Sequence, residues 1–188
     1  MKNFPVKVDG KEYWISRSVA VCVFVFKIKN DKLYTLIERR GSGAADERGK
    51  LAAVSGYIDF NESLEEAVIR ELHEETGFIA KKGRLQFMYI NSDPKSDKRQ
   101  NITVHYVYFV KGNEDFNEER AVGGEANEVS EVKWMEIGTF DKNKVLFINI
   151  YDIMAEDWAF GHDKIMIEHL SKFFKLKYNE EEKEEKPD

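Results

Sequence analysis

Three glutamates, Glu71, Glu74 and Glu75, stand three and four residues apart in a stretch with helical periodicity. With Leu64 at zero and about 100° per residue, Leu64, Ala67, Val68 and Leu72 form one apolar stripe, and Glu71 and Glu75 point along it. A solvated acidic face would lie on the opposite side. Like charges at this spacing destabilise a helix by a few tenths of a kcal/mol per pair in water, and by far more where the carboxylates lose solvent. The pattern calls for a positive partner, and a hard divalent cation with oxygen ligands, its shell completed by phosphate oxygens, suits the chemistry.

The elements that must position these acids are legible around them. Ser63 followed by Glu66 is a capping box and Gly77 sits as a C′ residue, which predicts a helix from Leu64 to Thr76. Before it, the apolar run Leu51 to Val54 reads as a short strand that enters the loop Gly56 to Glu62.

These residues resemble the signature of the Nudix hydrolases. In this chain it reads Gly56, five residues, Glu62, seven residues, then Arg70-Glu71-Leu72-His73-Glu74-Glu75-Thr76-Gly77-Phe78, and every fixed position of the signature is filled. The resemblance implies an α/β/α sandwich with a mixed sheet. It also implies hydrolysis of a nucleoside diphosphate linked to another group, by water attack at phosphorus with magnesium, or manganese in its place. Glu71, Glu74 and Glu75 are similar to the family's metal-binding glutamates, with Glu74 also catalytic and the Gly56 carbonyl completing the site. Arg70 resembles the arginine that orients them, and Glu62 an accessory carboxylate. For the general base the resemblance points to Glu128, six residues ahead of Trp134, with Glu125 and Glu131 as competitors and a solvating role for all three as the plain alternative. One departure stands out: Val54-Ser55-Gly56 replaces the usual Pro-Gly-Gly, retaining the glycine nearest the metals.

Composition frames the rest. The chain has 188 residues, 42% hydrophobic, enough for one core, so one domain over residues 1–178 is expected. The last nine residues hold six acids and two lysines and so carry most of the net charge of −6; residues 179–188 read as a solvated tail. Met1 to Gly10 lacks an apolar signal core, and the longest apolar run, Val19 to Phe26, is a strand's length, so no membrane partner is expected and a cytoplasmic location is. Cys22, inside that run, reads as a small buried hydrophobe. Without a basic stripe carrying interleaved aromatics, duplex nucleic acid is not an expected partner. A small-molecule nucleotide is, and homodimerisation is left open.

Strands are expected at Ser18 to Lys29 and Lys32 to Arg39, joined by a tight Asn30-Asp31 turn, and at Arg84 to Asn91, Ile102 to Lys111 and Val129 to Ile137. Val145 to Trp158 and His162 to Tyr178 carry apolar residues at helical spacing and are expected as helices. Arg39, Arg40 and Arg48 are candidates to clamp phosphate, against the commoner role of surface arginines. Pro94, in the loop Asp93 to Arg99, and the segment Trp158-Ala-Phe160-Gly-His162 are similar to elements of ADP-ribose-cleaving members of the family, although Gly161 stands where those carry an aspartate. His73 is expected exposed, and His105 and His169 as packing or surface residues. Together these readings favour ADP-ribose or another nucleotide sugar as substrate. The alternatives are a nucleoside triphosphate pyrophosphohydrolase and a nucleotide sensor without turnover.

Overall fold

The computed structural model describes residues 4–96, 98–112, 114 and 127–178. Asp97 of the Asp93 to Arg99 loop, Glu125 and the acidic tail lie outside the described residues. A two-stranded hairpin, β1 (Phe4–Val8) and β2 (Lys11–Ile15), precedes the main body. The body is a nine-stranded mixed sheet of β3 (Val19–Lys29), β4 (Lys32–Arg40), β5 (Leu51–Ala52), β6 (Val54–Tyr57), β7 (Gln86–Asn91), β8 (Ile102–Phe109), β9 (Val129–Phe140), β10 (Val145–Ile148) and β11 (Lys175–Tyr178). The path runs β11-β10-β9-β4-β3-β8-β7, with β5 on β4 and β6 on β3. The β3–β8 and β10–β11 pairs are parallel and the others antiparallel.

The alternation of β3 puts the helices on both faces. Val21, Val23 and Val25 pack with Leu36 under helix α1 (Leu64–Thr76), against Ala67, Val68 and Leu72. Cys22, Phe24 and Phe26 pack with Ile37 on the other face, against Ile153 of α2 (Ile150–Ala155) and Met166 and Leu170 of α3 (His162–Leu170). A run apolar at every position is what a strand covered on both faces requires. The result is the expected α/β/α sandwich, with Cys22 a fully buried free thiol whose Sγ lies 3.7 Å from His162 Nε2. Among the described residues no helix is long and apolar enough to cross a membrane.

What places the site is a split in the sheet. The β3–β4 hairpin turns at Asn30 and Asp31, φ 53° and 55°, as a two-residue loop demands. The two strands pair only from Phe26 to Lys29 with Thr35 to Lys32; beyond that they part. Residues 51–57 fill the gap, first as β5 on Glu38 and Arg39, then as β6 on Ala20 to Val23.

Several expected boundaries are corrected. Val145 to Trp158 is not one helix but β10 followed by the short α2, and His162 to Tyr178 is α3 followed by β11, which lies parallel to β10. Short apolar runs do not reveal their period, and here the sheet edge captured them. Arg84 ends a 3-10 turn (Lys82–Arg84), so β7 starts only at Gln86; β8 stops at Phe109, and β9 runs on to Phe140. The N-terminal hairpin went unread, although Asp9-Gly10, with φ 49° and 77°, is its turn signal.

Candidate active site

Helix α1 is built as its sequence asks. Ser63 and Glu66 form both halves of the capping box, holding the Glu66 carboxyl down at about 2, and Gly77 closes the helix at φ 68°. His73 is exposed. The stripe carries its acids inward: Glu75 is 4% exposed, and the Glu71 side chain 12%.

Arg70 is the hub of the outer acids. Its Nε and Nη2 donate to the two oxygens of Glu62 (2.8 and 3.0 Å), and its Nη1 donates to Glu71 (2.8 Å) and Glu74 (3.1 Å). Nη2 also donates to the Tyr57 carbonyl at 2.9 Å, tying the helix to β6. Arg70 holds the Glu62 carboxyl below its ordinary range. Gly56 faces Glu71 so closely that a Cβ there would lie 2.0 Å from its Oε1. The retained glycine is therefore a steric necessity of this carboxylate's position.

Deeper in, a further acid appears that the sequence reading missed. Glu38, on the same face of β4 as Leu36, is 1% exposed and lies against Glu75. Apart from their contact with each other, neither Glu38 oxygen nor Oε2 of Glu75 has a hydrogen-bond partner. Arg40 comes no nearer to Glu38 than 3.8 Å. Burial pushes Glu38 up to about 7; burial first and then Glu38 push Glu75 well above the carboxylate range, and burial also raises Glu71. A charged residue at an inward-facing strand position was the signal available in sequence.

Glu128 adds its negative charge to this group, raising Glu38, Glu71 and Glu75 alike. Its backbone carbonyl accepts from Gly41 N–H at 2.6 Å, and a Cβ on Gly41 would lie 2.1 Å from the Asn127 oxygen. The end of β4 and the start of β9 thus close over the acids. Of the two competitors, Glu131 is bound to Arg39 at 3.1 Å and lies 3.5 Å from Lys133.

The arginines read as clamps hold protein partners. Arg39 donates to Glu131 and to the Gly49 carbonyl, and Arg48 to the Ala44 carbonyl. Arg40 is buried, donating to the Asp46 carbonyl at 3.1 Å and lying over the Phe160 ring at 5.1 Å. Pro94 is exposed in a turn; the end of its loop reaches the site, where Arg99 and Asn101 donate to Tyr57 Oη at 3.3 and 3.0 Å. The Trp158 to His162 segment is bound to the strand that feeds Gly56. Leu51 N–H donates to the Asp157 carbonyl, Ala159 N–H donates to the Leu51 carbonyl, and Ala53 N–H, at the break between β5 and β6, donates to Nδ1 of buried His162 at 3.1 Å. Phe160 and Gly161, φ 56° and 69°, make the turn that sends His162 inward.

Chemically this is a set of hard oxygen donors with more charge than its cations offset. Among the described residues no three acidic, histidine or cysteine side chains already stand as a cation cage; Arg70 takes one oxygen each of Glu71 and Glu74. Oε2 of Glu75, buried and reached by no donor, is what a divalent cation would satisfy, so the donor set fits such an ion.

A mixed sheet between helices, split to hold Gly56 of β6 against the glutamates of α1, defines the architecture around these acids. The chain belongs to the Nudix family: the NUDIX domain model matches residues 16–155, and the protein is a Nudix hydrolase. It is 29% identical to an ADP-ribose pyrophosphatase of Methanocaldococcus jannaschii over 90% of this chain and 83% of that protein. The NUDIX domain of Shewanella oneidensis NrtR, solved with ADP ribose, superposes with a TM-score of 0.63 at 22% identity, covering 84% of this chain and 88% of that one. A bifunctional NMN adenylyltransferase/ADP ribose pyrophosphatase of Francisella tularensis, solved with AMP and a manganese ion, gives 0.57 at 20% identity over 84% of this chain and 42% of that one.

Proposed function

We propose that this chain hydrolyses a nucleoside diphosphate joined to a second sugar, with ADP-ribose as the first substrate, at a divalent-cation site of Glu71, Glu74, Glu75 and the Gly56 carbonyl. The observation that carries the reading is the buried Glu75 carboxyl, whose Oε2 no donor reaches and which Glu38, Glu71 and Glu128 crowd with negative charge. Such a carboxylate costs stability unless a cation joins it. A bound magnesium or manganese ion supplies charge neutralisation for the diphosphate and acidifies the attacking water.

The chain's own groups do the rest. Arg70 presents Glu71 and Glu74 and, through the Tyr57 carbonyl, fixes them relative to Gly56. Glu128 accepts the proton as the water oxygen bonds to phosphorus; the anhydride P–O bond breaks, and its electron pair leaves with the departing phosphate. Support for the second sugar comes from the M. jannaschii relative, similar along most of both chains, and from the Trp158 to His162 segment and the Tyr57–Asn101 bond, which bring two loops to Gly56.

Steady-state hydrolysis with magnesium tests this. ADP-ribose should yield AMP and ribose 5-phosphate with a kcat/KM at least about tenfold above any nucleoside triphosphate, or about 1.4 kcal/mol of transition-state discrimination. Faster release of pyrophosphate from a triphosphate overturns the substrate choice. Binding of ADP-ribose and nucleoside triphosphates without turnover of any of them overturns the enzymatic reading.

A further inference from the structure

We infer that Glu38, a residue outside the Nudix signature, is a positioning residue for the divalent cation: it backs Glu75 from beneath and adds a buried negative charge to the site. The inference rests on the cation site proposed above.

Three observations carry it. Glu38 is 1% exposed and, apart from the facing Glu75 carboxyl, no donor reaches either of its oxygens, which is rare for a buried carboxylate. It lies on the face of β4 that α1 covers, directed at Glu75, whose own Oε2 is equally unpartnered. The alternative, a buried ion pair with Arg40, accounts for little. That guanidinium stands 3.8 Å from Glu38, donates its Nε to the Asp46 carbonyl, and is shared with the Asp46 carboxylate at 3.6 Å. One shared arginine cannot offset both Glu38 and Glu75, and a pair of buried carboxylates left facing each other is disfavoured unless something positive joins them. A divalent cation on the open side of Glu75 meets that need, and Glu38 then strengthens its hold and restricts the Glu75 rotamer.

The test uses the full chain with Glu38→Gln and Glu38→Met, which are close in volume and uncharged. Manganese binding is followed at pH 8 by loss of the free-ion electron paramagnetic resonance signal, and melting is measured in chelator. We expect the manganese Kd to rise at least about tenfold in both variants, the scale of one charge removed from a partly buried ion site. We also expect metal-free melting temperatures no lower than that of the wild type. A Kd within twofold of wild type in a variant that melts cooperatively overturns the inference and leaves the cation site standing. Variants that do not melt cooperatively overturn it too, since the charge would then serve the fold. A wild-type chain that binds no manganese removes the proposed site itself.

Discussion

Replacing Gly56 by alanine should separate the site from the fold. The added Cβ would lie 2.0 Å from Oε1, 2.2 Å from Cδ and 2.7 Å from Oε2 of Glu71. Ordinary contact needs about 3.5 Å, so the carboxylate must withdraw by roughly 1–1.5 Å. That movement breaks its 2.8 Å bond to Arg70, while the bonds of Arg70 to Glu62 and Glu74 survive. A lost charge-assisted hydrogen bond is worth about 1.5–3 kcal/mol when buried; at a site still in touch with water, and with Glu71 relieved of some burial, about 1 kcal/mol is the expected cost. The backbone adds no penalty, since Gly56 sits in β6 without a left-handed φ. Catalysis is less forgiving, because a misplacement of about 1 Å costs on the order of a hundredfold. Urea unfolding in chelator should therefore show a small change beside a roughly hundredfold loss of kcat/KM, with Gly83→Ala, which meets nothing within 4 Å, as the neutral control. Activity within threefold of wild type would refute the steric reasoning, and a stability loss above about 3 kcal/mol would show that the fold, rather than the site, had been damaged.

Arg70→Met leaves Glu62, Glu71 and Glu74 without their shared cation and should destabilise the metal-free chain by about 1–3 kcal/mol, reduced from the buried-pair value because the arginine is partly exposed; magnesium should restore part of the loss in a melting assay. Glu128→Gln should lower kcat at least about a hundredfold with little change in melting temperature, and Glu131→Gln should not, since Glu131 serves Arg39; equal effects in both would remove Glu128 from the proton transfer. Burial holds His162 down at about 3, so the folded chain keeps it neutral while the unfolded chain takes up a proton below about 6.5. Its contribution to stability is thus full above about pH 6.5 and is lost as pH falls towards 3, by about 4–5 kcal/mol in all. His162→Asn, which keeps an acceptor for Ala53 N–H, should flatten the acid limb of stability against pH, and an unchanged limb would contradict the burial argument.

The residues proposed for the chemistry were legible in the sequence because they are local. Ser63, Glu66 and Gly77 bound one helix, and the spacing of Arg70, Glu71, Glu74 and Glu75 decides which of its faces they share, whatever surrounds it. The unbroken apolar run from Val19 to Phe26 likewise announced a strand covered on both faces. Tertiary structure decided what no spacing records. It set Glu38 against Glu75 from a strand 37 residues away in the chain, gave Arg39 and Arg40 the partners Glu131 and Asp46, and brought His162 to the amide of Ala53. It also drew Val145–Ile148 and Lys175–Tyr178 into the sheet edge, where open backbone partners outweighed a weak helical period. Local spacing determines which side chains share a face; only the packed sheet determines which distant charge that face must meet, because burial and Coulomb interaction depend on distance through space.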